Sequence, residues 1–190
     1  GVEDVAVGSD LDDDGGTDRG AVWILFLNTD GTVKAEQKIS ATAGGFDQAL
    51  AFGDRFGFSV AGIGDLDGDL VPDMVVGAPG SDDGADDDEA DYGAVYIVFL
   101  NTDGAVKATQ RISDTDGGWP NTPLNRLEDA DEFGSSVAGM GDFDLDGVRD
   151  IVVGAKGEDD GVNGNTRDFG AIWQVFLNVD GTVKGVAKMS

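Results

Sequence analysis

A fifteen-residue motif occurs three times in this chain, and that periodicity restricts the fold more than any other feature. Gly20-Ala21-Val22-Trp23-Ile24-Leu25-Phe26-Leu27-Asn28-Thr29-Asp30-Gly31-Thr32-Val33-Lys34 returns at residues 93–107 and again at 170–184. The offsets are 73 (93 minus 20) and 77 (170 minus 93). The extra residues fall between Trp119 and Phe133, in a loop containing Pro and Asn. A repeated unit of this kind cannot bury its apolar face alone, so successive units must stack.

Each complete repeat reads as four strands, here a to d. Strand a is 56–63 or 133–140, and strand b is 73–78 or 150–155. Strand c is 94–100 or 171–177, with 21–27 in the first copy, and is apolar nearly throughout, as in a strand buried on both faces. Asp-Gly pairs at 30–31, 103–104 and 180–181 are hairpin signals leading into strand d. Strand d, 105–112 or 182–189, alternates apolar and polar residues, which suits an edge strand with one wet face. No segment offers an amphipathic helix. The chain reads as all-β, with tandem four-stranded antiparallel blades.

Two nine-residue stretches between strands a and b share one acidic spacing. Asp65, Asp67, Asp69 and Asp73 occupy positions 1, 3, 5 and 9 of the first, and Asp142, Asp144, Asp146 and Asp150 those of the second. Four carboxylates packed this closely repel one another unless a cation sits among them. Oxygen-only ligands suit a hard ion, and calcium accepts six to eight oxygens in flexible geometry. An EF-hand starts with the same rhythm, but its bidentate Glu would fall at position 12, which is Val76 or Val153. The flanks are strands, so the spacing predicts a strand-loop-strand calcium site. Turn formation alone is the plainer account of these aspartates, yet it does not explain identical ligand positions in two copies whose other residues differ.

Phase at the ends adds a third, partial loop. Gly1-Val2-Glu3-Asp4-Val5-Ala6-Val7-Gly8 matches residues 147–154, which puts Asp4 at position 9 of a loop without its first three aspartates. The expected division is a partial repeat at 1–40 and full repeats at 41–113 and 114–190, about two and a half blades. This phase, with a first residue other than Met, predicts a segment of a longer array, or a neighbouring subunit that supplies the missing strand.

Charge and composition narrow the function. Thirty-eight acidic residues against twelve basic ones give a formal net charge of −26. Nucleic-acid binding needs a basic surface, so it is not expected, and adsorption to anionic membranes is disfavoured. Cys and His are absent, which removes disulfides, thiolate sites, the usual zinc ligands and the commonest general base. No apolar run reaches the roughly 20 residues of a membrane span. The acidic loops between strands b and c, 10–19, 81–92 and 158–168, differ in spacing, so solvated loops rather than ion sites are expected there. Trp23, Tyr96 and Trp173 share one repeat position, where core packing explains them better than a sugar site.

The pattern Phe56-Gly57-Phe58-Ser59-Val60-Ala61-Gly62-Ile63-Gly64-Asp65, then Val75-Val76-Gly77-Ala78-Pro79, resembles the FG-GAP repeat of integrin α chains and bacterial surface proteins. A second copy runs from Phe133-Gly134 to Val152-Val153-Gly154-Ala155-Lys156, with Lys in place of the last Pro. The resemblance implies blades of a β-propeller, open within this chain because the family usually closes seven. By this resemblance and the spacing, Asp65, Asp67, Asp69, Asp73 and the Val71 carbonyl hold one calcium ion. Asp142, Asp144, Asp146, Asp150 and the Val148 carbonyl hold another, and Asp4 is the last ligand of an incomplete site. Leu70 stands where the family has Gly, which is expected to shift the first turn, with Gly68 compensating.

The expected function is a non-catalytic, calcium-binding extracellular adhesion or structural module, with calcium stiffening the blades. Its partners would be calcium, other repeats of the same or neighbouring chains, and a protein or glycan. An alternative is a subunit of a repetitive fibre in which a neighbour completes the first repeat by strand addition. A third reading is the non-catalytic part of a larger secreted hydrolase.

Overall fold

The computed structural model describes residues 2–82, 91–120, 122, 125–158 and 170–189. Eleven strands form three antiparallel sheets among these residues, with no helix. The first sheet has β1 (Val5–Ser9), β2 (Ala21–Leu27) and β3 (Val33–Ser40), with β1 at its edge. The second has β4 (Ser59–Gly64), β5 (Asp73–Ala78), β6 (Ala94–Leu100) and β7 (Val106–Ile112), in that order. The third repeats the order with β8 (Phe133–Gly141), β9 (Asp150–Ala155), β10 (Ala171–Leu177) and β11 (Val183–Met189). The chain is all-β, with open, propeller-like blades.

Local chemistry sets the turns and the crossings between sheets. In the first c–d hairpin the Asn28 N–H donates to the Thr32 carbonyl at 2.8 Å and the Gly31 N–H to the Asn28 carbonyl at 2.9 Å. Gly31 takes φ 82, which the turn requires and glycine adopts without strain. The first strand a begins at Ser59 rather than Phe56. Phe56 instead bridges in parallel to Gly20 of the preceding sheet, and Phe133 bridges in the same way to Gly93. A Cβ on Gly93 would lie 2.2 Å from the Phe133 carbonyl oxygen, so only glycine permits that contact. The Phe-Gly pair is therefore the point where one sheet hands the chain to the next.

Apolar side chains fill the two spaces between adjacent sheets. Val22, Ile24 and Ile39 of the first sheet meet Met74, Val76, Tyr96 and Val98 of the second. Val95, Ile97 and Ile112 of the second meet Ile151, Val153, Trp173 and Val175 of the third. Aromatic rings cluster at both places. Phe56 lies 5.5 Å from Tyr96, and Trp119 lies 5.0 Å from Phe133 and 5.1 Å from Trp173. Tyr96 and Trp173 are fully buried, whereas Trp23 is half-buried. Burial of strand c on both faces holds along the whole of β6, which has a sheet on either side. In β2 and β10 it holds on one face only.

Candidate metal centres

Residues 65–73 join β4 to β5, and residues 142–150 join β8 to β9. Short aspartate side chains fold each loop by capturing its own backbone N–H groups. Asp65 Oδ1 accepts from Gly68 at 2.8 Å and Asp69 at 3.0 Å, while its Oδ2 accepts from Leu70 at 3.0 Å. Asp69 Oδ1 accepts from Val71 at 2.8 Å. The second loop repeats the pattern. Asp142 accepts from Gly147 at 3.0 Å, and Asp146 from Val148 at 2.8 Å. These bonds fix the peptides of the half-buried Val71 and Val148, whose carbonyls were the expected position-7 ligands.

Both loops need left-handed backbone at positions 4 and 6. The first supplies Gly68 (φ 83) and Leu70 (φ 72), and the second Leu145 (φ 64) and Gly147 (φ 92). The expected shift of the first turn by Leu70 is therefore corrected. Leu70 adopts the same conformation as Gly147, and Leu145 carries the matching strain in the second loop. A non-glycine residue in this region costs about 1–2 kcal/mol. Both leucines project into solvent, 88% and 85% exposed, so no burial offsets that strain.

The folded loops bring three carboxylates together in each repeat. Oxygens of Asp65, Asp67 and Asp73 lie within 4.8 Å of one another, as do those of Asp142, Asp144 and Asp150. Ca–O distances of 2.3–2.6 Å place opposed ligands about 5 Å apart, so these all-oxygen sets fit calcium. Position 9 is the structural anchor. The buried Asp73 accepts Leu66 N–H at 2.9 Å and Leu100 N–H at 3.1 Å. Asp150 accepts Phe143 N–H at 2.9 Å and Leu177 N–H at 3.1 Å. Burial raises the Asp73 pKa, and the charges of Asp67 and Asp69 add to the rise. Asp4 accepts Leu27 N–H at 2.8 Å, reproducing the anchor contact of Asp73 with Leu100. No carboxylate triad forms around Asp4 among the described residues.

In each loop a lysine bridges the acids at positions 3 and 5. Lys107, on β7, reaches Asp67 Oδ2 at 2.6 Å and Asp69 Oδ2 at 2.5 Å. Lys184, on β11, reaches Asp144 Oδ2 at 2.6 Å and Asp146 Oδ2 at 2.5 Å. Each lysine thus ties a triad member, Asp67 or Asp144, to the fourth acid, Asp69 or Asp146, whose pKa is lowered first by the lysine hydrogen bond. Sequence reasoning missed these lysines, although both end the fifteen-residue motif. Lys34, at the same place in the first repeat, is exposed.

The acidic loops between strands b and c follow a separate logic. Residues 83–90 and 159–169 lie outside the described residues. In the described parts, acids meet cations carried by strand d or by a neighbouring loop. Lys38 bonds Asp12 at 2.9 Å and Asp14 at 3.0 Å, Arg55 bonds Asp10 at 2.6 Å, and Lys188 bonds Glu158 at 2.6 Å. The loop at 10–19 is therefore clamped rather than simply solvated.

Near the last clamp, Asp131 is buried and accepts Glu128 N–H at 2.6 Å. Its pKa is pushed up to about 7 by burial first, then by the charge of Glu158. Glu158 Oε2 is buried without a hydrogen-bond partner. A raised carboxyl pKa means that the folded state holds a proton the unfolded chain has released. The contribution is full below about pH 4 and is lost as pH rises through about 7. Asp131→Asn keeps the acceptor for Glu128 and offers an N–H to Glu158. The variant is expected to gain about 1–3 kcal/mol over the wild type at pH 8, and less at pH 5. Urea unfolding at the two pH values checks this, and a gain independent of pH contradicts it.

Comparison with known proteins agrees with this frame. A family model described as FG-GAP repeat matches residues 133–173. Human integrin alpha-E is 34% identical over 165 residues, covering 78% of this chain and 13% of that protein. Chicken integrin alpha-V is 39% identical over 107 residues, covering 55% of this chain and 9% of that protein. The chain thus spans only a small part of the length of these relatives. The Phe-Gly crossings, the a–b acidic loops and the Val-Val-Gly-Ala strands recur in register in the sheets, and on that evidence the chain is an FG-GAP repeat protein.

Proposed function

We propose that this chain is a non-catalytic, extracellular module of adhesion type whose blades are stiffened by calcium in the two a–b loops. The observation that supports this most is the recurrence of one carboxylate triad at the same repeat positions in two blades. Similarity to integrin alpha chains supports the extracellular, protein-facing setting. No helix among the described residues is long and apolar enough to cross a membrane.

In this reading Asp65, Asp67 and Asp73 hold one ion, and Asp142, Asp144 and Asp150 the other. The Val71 and Val148 carbonyls complete each set, with Asp69 and Asp146 at its margin beside a lysine. Bound calcium supplies positive charge that relieves carboxylate repulsion. The chain's own part is preorganisation, since aspartate-to-backbone bonds hold the loop in shape and position 9 ties it to strand c. Lys107 and Lys184 neutralise the outer oxygens of positions 3 and 5, which lowers the charge left for the ion to balance.

Stiffening is read by hydrogen exchange. Calcium is expected to slow exchange at the amides of Leu70, Val71, Gly147 and Val148 relative to chelator, with little change in the c–d hairpins. Equal exchange in both conditions contradicts the proposal.

A further inference from the structure

Strand d carries a β-bulge in each sheet, and a lysine stands at every one. Val106 pairs with Leu100 and Ala108 with Phe99, which leaves Lys107 as the extra residue of β7. Lys184 is the extra residue of β11, between Val183 paired with Leu177 and Gly185 paired with Phe176. Lys34 holds the same place in β3. Leu100 and Leu177, which oppose the bulges, give their N–H groups to Asp73 and Asp150. The bulge therefore brings the anchor and the lysine of each a–b loop to one point. Bulges re-aim side chains, and here Lys107 and Lys184 are turned onto the loop acids.

The oxygens of those acids are divided in one way. Asp67 Oδ1 accepts the Asp69 N–H at 3.2 Å, and its Oδ2 accepts from Lys107. Asp69 Oδ1 accepts the Val71 N–H at 2.8 Å, and its Oδ2 accepts from the same ammonium. Asp144 and Asp146 repeat the arrangement with Lys184. The backbone thus holds one oxygen of each acid and the lysine the other. Asp67 and Asp144 also belong to the triads. One carboxylate cannot serve an ammonium and a divalent ion together without bringing like charges close. We infer that Lys107 and Lys184 are built-in competitors of calcium, which set the affinity of each loop by holding positions 3 and 5 and give up those carboxylates on binding. The inference rests on the calcium reading and adds the residue that tunes it.

Competition of this kind has two effects of opposite sign. Calcium affinity follows the number of ligand charges, and each lysine offsets one of the four. That moves binding toward the range of about 10⁻⁴–10⁻³ M found in extracellular modules, where occupancy is graded by the calcium supply. The same lysine relieves repulsion between positions 3 and 5 when no ion is held. A loop with its lysine is therefore a weaker ion trap and depends less on the ion for its shape.

Calcium titration calorimetry on the 190-residue chain tests the inference, with Asp142→Ala as background so that the first loop is measured alone. Lys107→Met keeps an unbranched side chain at an exposed position and removes its charge. It is expected to tighten binding about 3–10-fold, the scale of two partly exposed ion pairs. Lys107→Arg keeps a cation and is expected to bind no tighter than the background. Lys156→Met makes the same change in net charge at the far end of β9, where Lys156 pairs with Glu132, and is expected to leave affinity unchanged. In chelator Lys107→Met is expected to melt below the background, and in saturating calcium the two are expected to melt together. Lys184→Met on an Asp65→Ala background repeats the result for the second loop. A chain that takes up no calcium overturns the calcium reading and this inference with it. A chain that takes up calcium while Lys107→Met binds no tighter, or while Lys107→Arg tightens as much as Lys107→Met, keeps the calcium reading and overturns the competition.

Discussion

Trp173→Ala is expected to lower stability by about 3–5 kcal/mol, the range for deleting a large aromatic side chain from a packed core. The indole is fully buried between the second and third sheets, against Trp119 and among Ile151, Val153 and Val175. Its removal leaves a cavity bounded by two sheets, which cannot collapse without moving strands. Trp173→Phe is expected to cost much less. Phe keeps most of the apolar contact, and the indole Nε1 is buried without a hydrogen-bond partner, so no bond is lost. Equilibrium unfolding of both variants gives the ordering. Similar losses for Ala and Phe would show that the ring does not hold the two sheets together.

Removing calcium is expected to produce the other large effect. A ligand at a hundredfold its dissociation constant stabilises the state it binds by about 2.7 kcal/mol per site. Two sites in one cooperative unit give about 5 kcal/mol. In a chain of this size a change of 1 kcal/mol moves the melting midpoint by about 2–4 °C. Chelator is therefore expected to lower the midpoint by about 10–20 °C. Asp65→Ala should remove roughly half of this response, and Asp142→Ala the other half. A midpoint indifferent to chelator contradicts the structural role of the ion.

Much of the fold was legible because the sequence repeats itself. A strand seen once is ambiguous, but an apolar run that returns twice after an Asp-Gly turn in the same phase marks β2, β6 and β10 securely. The recurrence of an aspartate at position 9 was visible for the same reason, but its anchoring role was not: Asp4, Asp73 and Asp150 all hold the N–H of the last residue of strand c. Features that depend on conformation were less visible. Leucine is an improbable left-handed residue, so Leu70 read as a disturbance, although Leu145 shows that each loop tolerates one leucine and one glycine. Lys107 and Lys184 are about 40 residues from the acids they bridge, and only the register of strands a to d brings them across. The pairing of Lys38, Arg55 and Lys188 with loop acids was hidden likewise, since composition reports charges and not their neighbours.

Calcium titration calorimetry on the wild type, Asp65→Ala, and the double variant Asp65→Ala with Asp142→Ala measures the occupancy of the loops themselves. Two ions per chain are expected for the wild type, matching the two carboxylate triads. One ion is expected for the single variant and none for the double. A wild type that takes up no calcium, or a double variant that binds as much as the wild type, would show that these aspartates only shape turns.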